Sequence, residues 1–188
     1  MYKEYLKKII EFLLSIILLI TLSPLIIILS LFLLLLNGRP IFFIQKRFGL
    51  HNNYFYIYKF RTLIKDTKDI PTNEVVNYKY AKLGKFLRRT NIDELPQLVN
   101  ILRGEMSLIG PRPALYNQIN LKNLREKYLI HELRPGITGY AQIHGFENMS
   151  DEEKIKFDLY YLNNLSIILD LKIIISTFKF FFKKAPKH

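Results

Sequence analysis

Cysteine is absent from this 188-residue sequence, which excludes disulfide bonds, thiolate catalysis and cysteine-ligated zinc. A glycine-rich dinucleotide-binding fingerprint is also missing, so nucleotide recognition cannot be read from a motif. Histidine is scarce, and its four occurrences are too scattered for the ligand spacing of a metal site. They are His51, His131, His144 and His188.

Acidic residues are outnumbered by basic ones, with 16 Asp and Glu against 28 Lys and Arg, a net charge of +12 and a pI near 9.7. This balance suits nucleic acid, an anionic membrane surface or a phosphorylated substrate. Because no recognisable nucleic-acid-binding motif is present, we expect no nucleic-acid partner. Much of the apolar content lies in two terminal stretches, which leaves one modest globular domain plus membrane elements.

A hydrophobic segment made almost entirely of Leu and Ile runs from Ile9 to Leu36. As a straight helix it would be about 42 Å long, against a hydrocarbon core of about 30 Å. It lacks the small-residue cleavage site of a signal peptide, so we expect it to stay attached.

The Ser23-Pro24 pair near the centre of this segment predicts a kink, because proline removes a backbone hydrogen bond. The pattern favours a re-entrant hairpin that bends at this pair within one leaflet; a kinked spanning helix is the alternative. The positive-inside rule gives no orientation, because both flanks are basic. The flanking cations are Lys3, Lys7, Lys8, Arg39, Lys46 and Arg47.

Two adjacent carboxylates, Asp93 and Glu94, follow Arg88 closely. Carboxylates beside arginines are typical of sites where Mg²⁺ bridges to substrate phosphates and arginine neutralises the remaining charge. A carboxylate can also attack phosphorus to give an acyl phosphate, and Asp93 is the candidate for that role. The alternative is structural: Asn91 and Glu94 have the spacing of a reciprocal helix cap, although Pro96 disfavours a regular helix start.

Other segments supply candidate phosphate ligands. The aromatic run 54–61 is typical of a strand, which would place Lys59 and Arg61 on one face. Prolines on both sides of Arg112, in the segment 110–113, restrict the backbone and fix where its guanidinium points. Arg134 begins a segment, 134–136, with the composition of a type II turn.

Two patterns concern the surroundings of these residues. A helix after Asp93 would carry a polar stripe that includes Gln97 and Asn100, whereas residues 65–77 have the composition of a surface loop.

Residues 154–184 have helical spacing, but Asp170 and nearby lysines make a spanning segment costly. Interfacial amphipathic helices are favoured there, and a buried core helix with a basic tail is the alternative.

In order along the chain, these motifs resemble those of the bacterial sugar transferases, the monotopic polyprenol-phosphate phosphoglycosyl transferases, and especially their small single-domain members. The resemblance covers nearly the whole chain. It is carried by the hydrophobic segment with Ser23-Pro24, Lys59-Phe60-Arg61-Thr62, Leu87-Arg88-Arg89, Asp93-Glu94-Leu95-Pro96-Gln97-Leu98, residues 106–113 (MSLIGPRP) and residues 134–139 (RPGITG).

The resemblance implies an enzyme that transfers a sugar 1-phosphate from a UDP-sugar to polyprenyl (undecaprenyl) phosphate and releases UMP. This would be the first membrane step of bacterial glycoconjugate biosynthesis. It also implies that Asp93 is the nucleophile of a covalent phosphosugar intermediate and that Asp93 and Glu94 hold Mg²⁺. The predicted phosphate-binding residues are Lys59, Arg61, Arg88, Arg112 and Arg134.

The fold expected on these grounds is α/β and helix-dominated, with a small β-sheet or hairpin. Residues 1–38 would form the re-entrant anchor, and residues 39–188 a cytoplasmic catalytic domain with interfacial C-terminal helices. The expected location is the cytoplasmic face of the bacterial inner membrane. Expected partners are the UDP-sugar, the polyprenyl phosphate and membrane lipid, and a homodimer is a candidate assembly.

The chain departs from the family pattern at Tyr140, where many members have Trp, and at Phe146, where many have Arg. Sugar specificity is therefore open. Two alternatives compete with the proposed chemistry. One is a non-catalytic, membrane-anchored basic protein that binds anionic lipid or nucleic acid. The other is a related enzyme with a direct mechanism, in which Asp93 only binds metal.

Overall fold

The structure is a computed structural model, and it describes residues 5–64, 79–146 and 149–182. The loop predicted over residues 65–77 lies outside this part of the chain. The helices are α1 (Lys7–Asn37), α2 (Gly84–Arg89), α3 (Leu98–Leu102), α4 (Ile119–Lys127), α5 (Asp151–Asn163) and α6 (Ile167–Phe182). The strands are β1 (Phe42–Phe48), β2 (Tyr54–Phe60), β3 (Ser107–Ile109) and β4 (Gly136–Thr138).

The predicted helix-dominated α/β fold is confirmed, with two small sheets. β1 and β2 form an antiparallel hairpin, in register from Phe42 opposite Phe60 to Phe48 opposite Tyr54. β3 and β4 pair in parallel, with Ser107 opposite Gly136. The strand predicted over 54–61 is β2, and its inner face carries Phe55 and Ile57 into a core shared with α3.

α1 is one uninterrupted helix that passes through Pro24 and is long and apolar enough to cross a membrane. The Ser23 hydroxyl donates a hydrogen bond to the carbonyl of Ile20 at 2.7 Å, one turn before the proline. The pair therefore does not divide the segment into two helices, and a bend of the single helix at this pair stays a prediction. Whether α1 enters one leaflet or crosses the bilayer stays a prediction.

One face of α1 packs against the rest of the protein along nearly the whole helix. The side chains on this face recur every three or four residues, the period of a helix face. They are Lys7, Glu11, Ser15, Leu18, Leu19, Leu22, Ile26, Leu29 and Leu33. The opposite face exposes large apolar side chains: Ile9, Phe12, Leu13, Ile17, Ile20, Ile27, Ile28, Leu31 and Leu35.

Buried ion pairs at the start of α1 stabilise charges that the sequence made look costly. Lys7 donates hydrogen bonds to Glu11 at 2.7 Å and to Asp170 of α6 at 2.8 Å. Glu11 also accepts from the hydroxyl of Ser107 on β3, and Asp170 from that of Tyr161 on α5. Because each carboxylate is paired with a cation and hydrogen-bonded, the free-energy cost of burying its charge is offset.

The helical pattern predicted over residues 154–184 divides into α5 and α6. α6 turns Asp170 and Ile173 inward and exposes the lysines at positions 172 and 179. Its outer face also exposes Ile167, Ile168, Leu171, Ile175 and Phe178. This amphipathic surface is compatible with the predicted interfacial helix, whose membrane contact stays a prediction.

The type II turn predicted at residues 134–136 is wrong, because Gly136 does not have the positive φ that this turn requires. Gly136 instead begins β4 and passes so close to Gly110 that a Cβ on either residue would collide with backbone atoms. The backbone N–H of Gly136 donates to the carbonyl of Pro111 at 2.9 Å. Because Gly110 and Gly136 have no side chains, the segment that begins at Arg134 can approach and hold the loop that carries Arg112.

Candidate active site

Asp93 and Glu94 lie on a short 3₁₀ helix, Ile92–Gln97, that precedes α3. They are only 6% and 9% exposed. Glu94 Oε1 accepts a hydrogen bond from Lys59 Nζ of β2 at 2.6 Å and lies 3.4 Å from Arg112 Nη2. Arg88 at the end of α2 is close enough to act electrostatically on Asp93. The structure thus brings together five of the predicted site residues from four separate segments.

The local backbone shows why these carboxylates are available for chemistry. Asn91 adopts a left-handed conformation, with φ of 52°, and its side chain makes no capping hydrogen bond. The side chain of Glu94 points to Lys59 and Arg112 instead of back to Asn91. The reciprocal-cap interpretation is therefore wrong, because the attraction of two cations outweighs a local cap.

The two carboxyl groups have opposite pKa shifts. Burial raises the pKa of Asp93 to about 6, although Lys59 opposes that rise. Burial also acts to raise the pKa of Glu94, but Lys59 and Arg112 outweigh it and hold the pKa at about 2. Paired titratable groups with diverging pKa values are typical of catalytic sites. Glu94 is thus a firmly ionised partner of the cations, and Asp93 a more basic carboxylate.

Lys59 is the cation at the centre of this cluster. Burial lowers its pKa, Glu94 raises it, and the neighbouring Arg112 lowers it again. Glu94 has two cations beside it, and their attraction lowers its pKa despite burial. Lys59 shares the carboxylate of Glu94 with Arg112, so the attraction does not offset burial and its pKa is lowered. The 2.6 Å contact makes the Lys59 amine a hydrogen-bond donor to the ionised carboxylate of Glu94.

Two buried polar atoms on the active-site helix have no hydrogen-bond partner in the described part of the chain: Asp93 Oδ1 and Gln97 Nε2. A buried polar group without a partner is costly, and binding of a ligand or an ion is one way in which it gains a partner. Mg²⁺ is held by one or two carboxylates together with substrate phosphates and water. The Asp93 and Glu94 pair fits that donor set, and no cluster of three or more metal-binding side chains occurs in the described residues.

Asn100 joins α3 to β2 and sets the position of Lys59. It is fully buried, its amide nitrogen donates to the carbonyl of Tyr56 at 2.8 Å, and its amide oxygen accepts from the N–H of Tyr58 at 3.2 Å. It also donates to Glu105 at 2.7 Å. The sequence placed Asn100 only in a polar stripe; its role depends on a strand that begins more than forty residues earlier, as the range of β2 shows.

Replacing Asn100 with Ala should destabilise the protein by at least about 3 kcal/mol, because two strand groups and a carboxylate lose their partner at a cost of about 1–3 kcal/mol each. Activity should fall as well, since Lys59 directly follows Tyr58. The exposed Asn120 is the matched control site, because within the described part of the chain its side chain donates to Asp151 alone, at 3.0 Å. Thermal unfolding of the detergent-solubilised variants is the measurement, and equal midpoints for Asn100→Ala and Asn120→Ala would contradict this role.

The loop that carries Arg112 is clamped from two sides. Arg47 of β1 donates to the carbonyl of Pro113 at 2.9 Å, and Arg125 of α4 donates to the carbonyl of Arg112 at 2.7 Å. Arg125 is itself held by the buried carboxylate of Asp158 at 2.7 Å. From the sequence, Arg47 was counted only among the cations that flank the hydrophobic segment. Nothing in the neighbouring residues shows that β1 turns its side chain toward the loop of Arg112.

Arg88 is oriented by a side chain that the predicted site omitted. Its Nε donates to the hydroxyl of Thr62 at 2.7 Å, and Thr62 is 4% exposed. Gly84, the first residue of α2, lies against the carbonyl of Thr62 with no room for a Cβ. Thr62 is the last residue of the Lys59-Phe60-Arg61-Thr62 motif, and its place in that motif is the sequence feature that could have identified it.

The structure places Arg61 and Arg134 in other surroundings. Arg61 is buried and donates to the carbonyl of Asn37, the last residue of α1, at 2.8 Å and to that of the following Gly38 at 3.2 Å, where a cation suits the helix dipole. Its Nε and Nη1 have no hydrogen-bond partner in the described residues. Arg134 lines a cavity between α1 and α3. Phosphate binding by either arginine stays a prediction.

A family model described as bacterial sugar transferase matches residues 2–184. A Bacillus subtilis (strain 168) protein named as an uncharacterized sugar transferase is 45% identical over 74% of this chain and 69% of its own length. The UDP-glucose:undecaprenyl-phosphate glucose-1-phosphate transferase of Escherichia coli (strain K12) is 36% identical over 96% of this chain. A UDP-N-acetylgalactosamine-undecaprenyl-phosphate N-acetylgalactosaminephosphotransferase of Aeromonas hydrophila is 35% identical over 84%. The chain spans 41% and 39% of these last two relatives.

Proposed function

Because this chain belongs to the bacterial sugar transferase family, we propose that it transfers a sugar 1-phosphate from a UDP-sugar to undecaprenyl phosphate and releases UMP. The observation that carries the proposal is the buried pair of Asp93 and Glu94, with Lys59 and Arg112 in contact and Arg88 nearby. Phosphoryl transfer depends mostly on positioning and charge neutralisation, which such a cluster supplies.

The route we propose has two displacements. A carboxylate oxygen of Asp93 attacks the β-phosphorus of the donor, and the bond from that phosphorus to the bridging oxygen breaks, so that UMP leaves with the electron pair. A phosphate oxygen of the lipid acceptor then attacks the same phosphorus and displaces Asp93, which gives the lipid diphosphate sugar. The raised pKa of Asp93 suits a nucleophile, because a more basic carboxylate is a better one.

The other residues would act on charge and geometry. Mg²⁺, when held by Asp93 and Glu94, would neutralise phosphate oxygens of the donor. Lys59 keeps Glu94 in place and offers positive charge to the phosphates, and Arg112 offers more from its clamped loop. Arg88, oriented by Thr62, adds charge on the side of Asp93.

We further propose that residues 1–38 form a re-entrant anchor that holds residues 39–188 on the cytoplasmic face of the inner membrane. One face of α1 contacts the rest of the protein from Lys7, at its start, to Leu33, near its end. This contact supports the re-entrant arrangement, because a crossing helix held in this way would draw the polar active site toward the hydrocarbon, where charged groups are costly.

The absence of cysteine allows a direct test of this topology. Single cysteines at the exposed positions Tyr5 and His51 should both resist a membrane-impermeant maleimide in intact spheroplasts and both react after permeabilisation. Reaction of Tyr5→Cys alone in intact spheroplasts would establish a spanning helix instead.

The proposed activity is tested by UMP release from a panel of UDP-sugars in the presence of undecaprenyl phosphate and Mg²⁺. The panel begins with the glucose and N-acetylgalactosamine donors that the relatives' names contain. Lipid-dependent release from one donor is the expected result, and it identifies the sugar. No release from any donor by folded, membrane-bound protein would contradict the transferase assignment and favour a non-catalytic binding protein.

A further inference from the structure

A cavity of about 380 Å³ lies between the first turns of α1 and the end of α3. Six of its lining side chains are apolar: Ile9, Phe12, Leu13, Ile101, Leu102 and Met106. The first three are also among the exposed apolar residues of α1. The cavity therefore opens on the surface that we expect to face lipid.

Two cations, Lys8 and Arg134, line the same cavity. Neither makes a salt bridge within the described residues, and Arg134 Nε is buried without a hydrogen-bond acceptor there. The one carboxylate of the lining, Glu11, already accepts hydrogen bonds from Lys7 and Ser107. The cavity thus has a net positive charge and a donor that lacks an acceptor.

A ligand that suits this cavity needs an apolar body and an anionic, oxygen-rich head. The head would accept from Arg134 and lie near Lys8, and the body would follow the exposed face of α1. Both a bilayer phospholipid and the lipid acceptor of the reaction have this chemistry. The acceptor phosphate must reach Asp93, yet none of Asp93, Lys59, Arg88 and Arg112 lines the cavity.

We propose that this cavity is a binding site for an anionic phospholipid of the bilayer, separate from the substrate site. The lipid headgroup phosphate binds Arg134 and Lys8, and one acyl chain lies against Phe12 and Leu13. A bound lipid of this kind would hold the start of α1 at headgroup depth. The depth of the protein in the membrane would then depend on the fraction of anionic lipid in the bilayer.

The absence of tryptophan from the sequence makes the site measurable, because Phe12→Trp would introduce a single tryptophan into the cavity wall. Its emission can be excited selectively over that of the 12 tyrosines. Phe12 is 45% exposed, so the larger ring can be accommodated. The protein is placed in phosphatidylcholine vesicles that contain equal fractions of either dibrominated phosphatidylglycerol or dibrominated phosphatidylcholine. Quenching by the brominated acyl chains reports which lipid occupies the cavity.

We expect phosphatidylglycerol to bind about fivefold more strongly than phosphatidylcholine, and we expect this preference to disappear in Arg134→Met and to weaken in Lys8→Gln. Arg103→Met is the matched control, since Arg103 is exposed and contacts Tyr58 instead of the cavity. Lys8 is exposed, so its variant keeps the test valid if Arg134→Met does not fold.

Four results would overturn the proposal. Equal quenching by the two lipids would show no preference for an anionic head. Displacement by undecaprenyl phosphate at the concentration that supports transfer would assign the cavity to the acceptor. Displacement by millimolar inorganic phosphate would show an anion site without a lipid component. Persistence of the preference in both cavity variants would remove Arg134 and Lys8 from the site.

Discussion

Asp93→Asn is expected to abolish sugar-phosphate transfer and, at the same time, to stabilise the fold. Transfer should fall by about a thousandfold or more, because the amide is neither a nucleophile nor a strong ligand for Mg²⁺. Stability should rise because burial disfavours the ionised carboxylate, and this raises the pKa of Asp93 to about 6.

The pH dependence of that stabilisation has a defined sign. An acid whose folded-state pKa is raised binds its proton more tightly in the folded state, so ionisation destabilises the fold above the folded pKa. The variant should therefore be more stable than the wild type by about 3 kcal/mol above pH 7, since the pKa difference of about two units corresponds to that energy. The advantage should decline below pH 6 and vanish near pH 4.

The same ionisation should control the wild-type reaction, whose rate should rise with pH as Asp93 loses its proton. Because bound Mg²⁺ favours the ionised carboxylate, the midpoint of this rise should lie below the pKa of about 6 that burial gives Asp93 without the metal. Glu152→Gln, at an exposed carboxylate on α5, is the control and should change neither property. The measurements are UMP release and denaturant unfolding across pH. A variant that is inactive but less stable than the wild type would contradict the assignment of burial as the cause of the pKa shift.

Glu94→Gln is expected to destabilise the protein by about 3–5 kcal/mol, because it leaves the Lys59 cation buried without its carboxylate. Their side chains are 11% and 14% exposed, and the contact between them is 2.6 Å. The substitution should also abolish transfer, since it removes a carboxylate from the proposed Mg²⁺ site.

A double variant separates the two effects. Glu94→Gln combined with Lys59→Met removes both charges and should recover most of the stability, because an uncharged pair of similar volume can replace a buried ion pair. The double variant should remain inactive. Denaturant unfolding and UMP release on the same preparations are the measurements. An active double variant would show that neither charge is needed for chemistry, and one as unstable as Glu94→Gln alone would show that the ion pair is not the source of the loss.

Local patterns in the sequence predicted β2 and drew attention to Asp93 and Glu94. The assignment of Lys59, Arg88 and Arg112 to the same site came from the resemblance of the ordered motifs to a known family. The local capping rule, which supplied the alternative interpretation, was wrong at Asn91. There the attraction between Glu94 and cations from other segments determines the side-chain direction, and that attraction depends on the tertiary structure.

The contacts that sequence reasoning missed join segments far apart in the chain. Lys7 contacts Asp170, and Glu11 contacts Ser107, so two charges that looked unfavourable for a membrane helix are paired in the fold. Asn100 satisfies the backbone of β2 in the same way. Periodicity shows which face of an element is apolar, but it does not show which distant element lies opposite.

The most direct test of the proposed mechanism is the intact mass of the protein after incubation with the accepted UDP-sugar and Mg²⁺, without lipid acceptor. We expect the wild type to gain the mass of one sugar-1-phosphoryl group and to lose it when undecaprenyl phosphate is added. We expect Asp93→Asn never to gain it. Wild-type protein that turns over with both substrates but gains no mass with the donor alone would contradict the covalent route and favour direct attack by the acceptor.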